Sequence, residues 1–497
     1  MTKDKSYDGI AAYVGVSAPE TPKYLLTNNF LLEYFEPSKD TEKNYEYKQF
    51  VEDGVLYTED AANEEILQKS FDRFLERYLG EETIKAGNHR LKGNRHYYFP
   101  LVQEMLTGSA STLRHLLYHL QALGKNFDYK ETQRNLTEYI FQDNSGINHL
   151  LKILFQSKEE NFQYAEAKSA EETVNFWSML TASDKSRMEK LGGRLNEDLN
   201  VVLTHEYFRK LDFYRRYNYL SVLLTSYVIQ YIVCRKGTNA CILCKGNPQD
   251  ERLSGIFHRA CCNNYIELRS VFPDLLQRYY DLLIRRWVGD GKEELRLELN
   301  NGDVRIENVP FHTFVEEVLS GRKMRNSIEN EQIVKTYALE DGVEKNILIG
   351  EFVLRYIDMT GTRKGSTLTK ISSVLPTSGR QIEMIFPNSN AKHKYFAMSG
   401  NLAEFYVRLY LADKKQKYDY LDNFIDYLQN RYHIVLVKSS EADKMLRHAK
   451  PKLSAKDFSR NKEAFMNTLN SANCLVKLSD SGYVITLPEE KGDLKLI

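Results

Sequence analysis

A chain of 497 residues has room for two to four domains, each with its own core. Hydrophobic residues at 42% against 27% charged exclude a disordered chain, and 68 basic residues balanced by 68 acidic exclude a polycation acting through bulk charge. Six cysteines in so long a chain argue against a secreted disulfide framework, and eleven prolines leave room for long helices.

The opening stretch, MTKDKSYDGIAAYVG, lacks an apolar run of signal-peptide length, so a cytoplasmic protein is expected. Residues 1–100 read as a mixed domain with an acidic segment, since Glu33 to Glu65 carries eleven acids against three bases. Asn63 to Gly80 sets Ile66, Phe71, Phe74, Leu75 and Leu79 at helical spacing, with Asn63 to cap the start and Gly80 to stop it. The loop from Gly87 to Pro100 places His89, Arg90, Lys92, Arg95 and His96 before Tyr97, Tyr98 and Phe99. That mixture suits single-stranded nucleic acid, and equally a loop whose aromatics enter the core.

Residues 101–290 read as a helical domain. Helices are expected over Leu101–Leu123, Thr132–Phe141, Gly146–Gln156, Ala170–Leu180, Val202–Lys236 and Asn264–Trp287. The most apolar run, Tyr219 to Cys234, spans sixteen residues and includes Gln230. A membrane span needs roughly twenty apolar residues, so this is a buried helix. His115 and His119 stand one helical turn apart, but Leu116 occupies the position of the glutamate in a His-Glu-x-x-His motif, which leaves a polar contact between helices.

On this reading the two longest helices are joined by a loop of roughly twenty-five residues, long enough to call for a staple. It holds Cys241-x-x-Cys244 and, after thirteen intervening residues, His258-x-x-Cys261. Two such pairs suit tetrahedral zinc, and four protein ligands would make the metal structural. Cysteine is also among the most buried residue types, so the same residues serve equally as core thiols.

Residues 291–400 read as an α+β domain with basic loops. A hairpin is expected at Asn301-Gly302, helices at Phe314–Leu319 and Glu344–Asp358, and strands at Gln381–Phe386 and Lys394–Met398. Gly361 to Lys394 carries six bases against one acid. The segment GTRKGST within it is no Walker motif, because Ser366 follows the second glycine where lysine is required. Arg363 and Lys364 remain candidate phosphate contacts.

Residues 401–497 suggest a winged-helix-like domain, making the fold class mainly α with small β elements in a multi-domain chain. A helix begins near Leu402, capped by Asn401. Another covers Tyr418–Arg431, a strand His433–Lys438, a helix Asp457–Ala472, and a hairpin Cys474–Pro488. The strand between the last two helices departs from winged-helix order, in which a short strand follows the first helix. Ile434 to Lys462 carries eight bases against three acids. Lys450, Lys452, Lys456, Arg460, Asn461 and Lys462 are therefore candidate contacts to duplex DNA, with backbone amides at the helix start available to phosphate. Phe458, Phe465 and Leu469 would face inward, leaving Arg460, Asn461 and Asn467 outside.

The segment ISSVLPTSGRQIEMIFPNSNAKHKYFAMSGNLAEFYVRLYLA, Ile371 to Ala412, with long helices before it and the helix-and-hairpin tail after it, resembles accessory proteins of bacterial anti-phage defence islands. These accompany modification-dependent restriction of the phosphorothioation-dependent (DptG-like) and methylation-associated kinds. The resemblance implies a cytoplasmic partner of an ATPase or nuclease and brings no catalytic signature. No nucleophile elbow, Rossmann glycines or linear nuclease motif stands out. The expectation is a non-enzymatic DNA-binding or scaffolding subunit; the alternatives are a nuclease or other nucleic-acid-processing enzyme with a non-linear site, or a pure protein-interaction scaffold.

Overall fold

The structure is a computed structural model that describes residues 14–15, 23–35, 44–46, 82–85, 88–90, 113–141, 165–178, 180–250, 255–276, 278, 367–387, 393–447, 451–478 and 482–492. The chain forms two compact units, Met1–Ser17 with Phe272–Ser373, and Ala18–Val271 with Val374–Ile497. The second unit therefore joins most of the expected helical domain to the C-terminal segment. The expected elements at 63–80, 146–156, 301–302, 314–319 and 344–358 lie outside the described residues.

The described residues are mainly helical with small strands. In chain order they give α1 (Lys23–Leu31), β1 (Asn44–Glu46), β2 (Glu82–Lys85), β3 (Asn88–Arg90), α2 (Leu113–Leu123), α3 (Tyr129–Leu136), α4 (Ala170–Phe176), α5 (Ala182–Thr204), α6 (Glu206–Arg209) and α7 (Phe213–Lys236). Then come β4 (Ile242–Lys245), α8 (Ile256–Arg269), α9 (Thr367–Ser372), α10 (Val374–Gln381), β5 (Ile385–Phe386), β6 (Tyr395–Ala397) and α11 (Gly400–Lys414). The chain closes with β7 (Tyr418–Tyr420), α12 (Leu421–Tyr432), β8 (Ile434–Val435), α13 (Ser440–Met445), α14 (Ala455–Ser471), β9 (Leu475–Lys477) and β10 (Tyr483–Thr486).

Helix α7 is the axle of the second unit. Leu220, Leu223, Leu224, Tyr227, Val228, Ile229, Tyr231, Ile232 and Val233 are all buried, and these positions go right round a 3.6-residue helix. Asp212 caps its start by accepting from the Arg215 N–H, and Gly237, at φ +147°, ends it. Helices α1, α2, α5, α10 and α11 pack around it. None of the described helices is long and apolar enough to cross a membrane. The sequence run Val202–Lys236 is broken in two: His205 is extended, capping α6, and Asp212 restarts the helix. Where α2 ends against α5, Gly124 and Gly192 let the backbones nearly touch; a Cβ on Gly192 would lie 1.9 Å from the Leu120 carbonyl oxygen.

The polar contact expected of the histidine pair is present. His115 Nδ1 lies 3.0 Å from Glu33, which also meets Arg114 at 3.2 Å and Lys168. His119 Nδ1 lies 3.1 Å from Thr173 Oγ1, and its ring stacks on Phe176. One buried carboxylate thus gathers three basic side chains from α2 and the segment before α4.

Two small sheets complete the unit. The first has the order β5-β6-β4-β8, with β4 parallel to both β6 and β8 and β5 antiparallel to β6. The second is antiparallel, in the order β7-β10-β9. Backbone pairing also joins β1, β3 and β2. Because β8 pairs with β4, residues on either side of 401 share one sheet.

Strand β4 has four residues and each neighbouring strand pairs with only two of them, so side chains finish its ladder. On one edge β8 covers Ile242 and Leu243, and then Asn461 takes over: its Nδ2 donates to the Cys244 and Leu436 carbonyls at 2.9 Å each, and its Oδ1 accepts from the Gly246 N–H at 2.8 Å. On the other edge Asn264 comes first, accepting from the Leu243 N–H and donating to the Cys241 carbonyl, both at 2.9 Å, before β6 pairs with Cys244 and Lys245. The two asparagines extend the sheet where strands stop.

Candidate nucleic-acid interface

Helix α14 carries most of the expected DNA contacts, so its placement decides their roles. Ser454 caps it in a reciprocal box with Asp457: the Ser454 Oγ accepts from the Asp457 N–H, and Asp457 Oδ2 accepts from the Ser454 N–H at 2.8 Å. The Asp457 carboxyl is held below its usual value by these Ser454 hydrogen bonds. The helix start is therefore supplied with its own anion, which takes up the place the expected phosphate would have at the open amides.

Phe458, Asn461, Ala464, Phe465, Thr468 and Leu469 form the buried face. Phe458 and Ala464 enter a core cluster with Leu243, Phe257, Cys261 and Val435, and Phe465 stacks on Phe424 of α12. Asn461 is 0% exposed and committed to the sheet edge, which corrects its assignment to the outer face. Its spacing from Phe458 and Phe465, three and four residues, is that of the inward stripe; polarity alone makes it look like an outward residue. Gly246 shows how tight this packing is, since a Cβ there would lie 2.5 Å from both the Asn461 carbonyl oxygen and the Phe465 nitrogen.

Lys456, Arg460 and Asn467 are exposed on the opposite face, and Lys452 is exposed just before the helix. Among the described residues, no carboxylate comes within 4.0 Å of Lys452, Lys456 or Arg460 to form an ion pair. Lys462 differs: it sits between the faces and is paired with Asp422 of α12. Arg363, Lys364 and Lys450 lie outside the described residues. Of the other bases between 361 and 394, Arg380 donates to the Pro376 carbonyl and Lys394 to the Pro387 carbonyl, both at 3.0 Å.

Helix α14 is held in place by the parts around it. Asp198 of α5, fully buried, accepts from the Tyr227 and Tyr432 hydroxyls at 2.6 Å each and from Arg431 Nε at 3.0 Å, which ties α12 to the helical bundle. Arg408 of α11 donates to Glu489 beyond β10 and to the Tyr207 carbonyl, tying the hairpin end to the same bundle.

The cysteine cluster packs into the same core as the inner face of α14, where Phe257 and Phe458 meet edge to face. The expected loop between the long helices is instead strand β4 followed by α8, which begins at Ile256 and takes His258, Cys261 and Cys262 into its first two turns. Phe257, Cys261, Tyr265 and Leu268 are its buried stripe, at ordinary helical spacing. Cys241 packs into the same core cluster as Leu243 and Cys261, and Cys244 is buried within β4. His258 Nε2 lies 3.5 Å from the Sγ of Cys262, a cysteine outside the expected four. Among the described residues, no group of three histidine, cysteine, aspartate or glutamate side chains is arranged to hold a metal ion. The expected structural zinc therefore has no ready-made site among the described residues. Burial pushes the Cys241 thiol up to about 12, with Glu267 adding to it, and pushes Cys244 and Cys261 up as well. As the protein stands, these thiols are protonated, buried groups.

Sequence reasoning missed the two asparagines that complete the β4 ladder and the buried Asp198. The first could have been found from the helical stripe they interrupt; the second has no local signal, because its partners are 29 and about 230 residues away. Comparisons with protein-family models, with curated proteins and with solved structures find no match for this chain.

Proposed function

We propose that this protein is a DNA-contacting subunit, non-enzymatic in itself, whose exposed α14 face lies against duplex DNA within a larger assembly. The observation that carries the reading is the row Lys452, Lys456 and Arg460, three exposed cations with no carboxylate within 4.0 Å among the described residues, Asp457 feeling Arg460 and Lys456 only at longer range, with Asn467 further along the same helix. A lysine or arginine row along a buried-backed helix is the arrangement that meets phosphate, and Asn467 adds a group suited to an adenine edge.

Topology supports a winged-helix-like module. Helix α11, strand β7, helix α12, helix α14 and the hairpin β9–β10 follow one another, with the sheet order β7-β10-β9. The short strand that winged-helix order places after the first helix is β7, while β8 and α13 are an insertion whose strand joins β4. In such a module α14 would be the helix presented to the groove and β9–β10 the wing. The resemblance to defence-island accessory proteins gives the wider proposal: a cytoplasmic complex in which an ATPase or nuclease partner supplies the chemistry.

Fluorescence-anisotropy titration of a labelled duplex with the full chain tests the reading. Saturable, salt-sensitive binding that weakens in Lys456→Ala/Arg460→Ala is expected. Equal affinity of that variant and the wild type would remove α14 from the interface.

A further inference from the structure

A cavity of about 590 Å³ opens beside the core cluster that the inner face of α14 enters, within the same compact unit. Its walls come from three places: the C-terminal end of α7 and the loop after it, the outer side of α8, and the end of α13. Lys236, Lys444 and Arg447 bring three cations to it, and Glu267 is the one carboxylate among its lining residues. Lys444 is paired with Glu441 at 2.6 Å, whereas Lys236 and Arg447 reach no carboxylate within 4.0 Å among the described residues. The cavity therefore has an excess of positive charge.

The rest of the lining is not that of a bare anion site. Leu268 and Ala260 are buried and give an apolar floor, with Met445 and Leu446 beside them. Asn239 and Asn263 are exposed and line the rim, while the Asn264 amide is already used on both sides by the β4 backbone. A ligand that fits must be anionic at one end, flat or apolar in the middle, and able to donate hydrogen bonds to a carboxylate such as Glu267. The volume falls within the roughly 300–1,000 Å³ of small-molecule sites.

We infer that this cavity binds a phosphorylated nucleoside, with phosphate toward Lys236, Lys444 and Arg447 and the ribose hydroxyls or base amino group toward Glu267. Charge-assisted contacts from lysine and arginine suit phosphate oxygens, and arginine can grip two at once. The same chemistry is offered by a free nucleotide and by the 5′-phosphorylated end of a nucleic-acid strand. The inference does not depend on the α14 interface.

Isothermal titration of the full chain with ATP, GTP, inorganic pyrophosphate and adenosine, beside a short oligonucleotide with and without a 5′-phosphate, tests it. Saturable binding of a free nucleotide, competed by pyrophosphate and at least about tenfold stronger than adenosine, supports the site with a soluble ligand, because a charge-assisted contact is worth more than one factor of ten. Binding confined to the 5′-phosphorylated oligonucleotide supports it with a strand end as the source. In either case Arg447→Glu and, separately, Lys236→Glu should weaken binding by at least about tenfold, and Lys456→Ala/Arg460→Ala should leave it unchanged. Both reversed side chains are exposed, so the melting temperature should hold. Absence of saturable binding by every phosphate-bearing probe, or binding indifferent to both reversals in folded protein, overturns the inference.

Discussion

Replacing Asn461 by alanine is expected to be among the most damaging single changes in the second unit, although the residue is polar. The side chain is 0% exposed and makes three hydrogen bonds, to the carbonyls of Cys244 and Leu436 and from the N–H of Gly246. Alanine leaves three buried backbone groups unpaired, each costing about 1–3 kcal/mol. The three share one neighbourhood and do not add fully, so a loss of about 3–5 kcal/mol is expected. Asn461→Asp should be at least as harmful, because it cannot donate to the two carbonyls and carries a charge into the core. Asn467→Ala, on the exposed face of the same helix, should change stability by no more than about 0.5 kcal/mol. Urea unfolding of the full chain can follow this through Trp177, which is buried and donates to the His119 carbonyl at 3.0 Å. The chain has two tryptophans, so Trp287→Phe leaves Trp177 as the single reporter. A loss below about 1 kcal/mol for Asn461→Ala, or an equal loss for Asn467→Ala, would refute the placement of α14 on β4.

Other outcomes follow from the same packing. Gly246→Ala and Gly192→Ala should each cost about 1–3 kcal/mol or more by overpacking, measured in the same urea titration, whereas Gly237→Ala meets no neighbouring atom and is opposed by its backbone angle alone. Burial lowers His119 to about 3, so the folded ring stays neutral while the unfolded one takes up a proton below about 6.5. Stability should therefore fall as pH drops from 6.5 toward 3, and His119→Phe should flatten that part of the profile. Burial alone would raise the Glu33 carboxyl, yet the hydrogen bond from His115 and the charge of Lys168 outweigh it and hold it at about 2. Its contribution is present above the unfolded value of about 4.3 and lost as pH falls through 4 toward 2, so Glu33→Gln should remove this lower limb of the profile. EDTA should leave the melting temperature unchanged, since the cysteines are packed as core thiols; a large drop would restore a structural metal.

Legibility from sequence follows the range of the interactions. The axle α7 can be read directly, because a run apolar on all sides has one soluble solution, burial. So can the hairpin β9–β10 and the interhelix role of the histidine pair. Sequence spacing puts the start of α8 at Asn264, eight residues after its true start at Ile256, because Cys-x-x-Cys and His-x-x-Cys look like ligand pairs. Three- and four-residue spacing is also one helix face. The cap of α11 is Ser399 rather than Asn401, whose amide instead reaches Glu383 at 3.1 Å. At α14 the amphipathic stripe gives the inward aromatic residues correctly and misses Asn461, since its partners are backbone groups of β4 and the chain beside it, up to 217 residues away. Lys462 carries the same charge signal as Lys456, and a single contact with Asp422 separates their roles.

The proposed interface is tested most directly by the salt dependence of duplex binding. Removing all three open cations in Lys452→Ala/Lys456→Ala/Arg460→Ala should lower the slope of log K against log salt by about 2.7, taking roughly 0.9 per neutralised phosphate. Lys462→Ala, which frees Asp422 instead of removing an open cation, should leave the slope near that of the wild type. Parallel lines for wild type and triple variant, in folded protein, would contradict a DNA-facing α14.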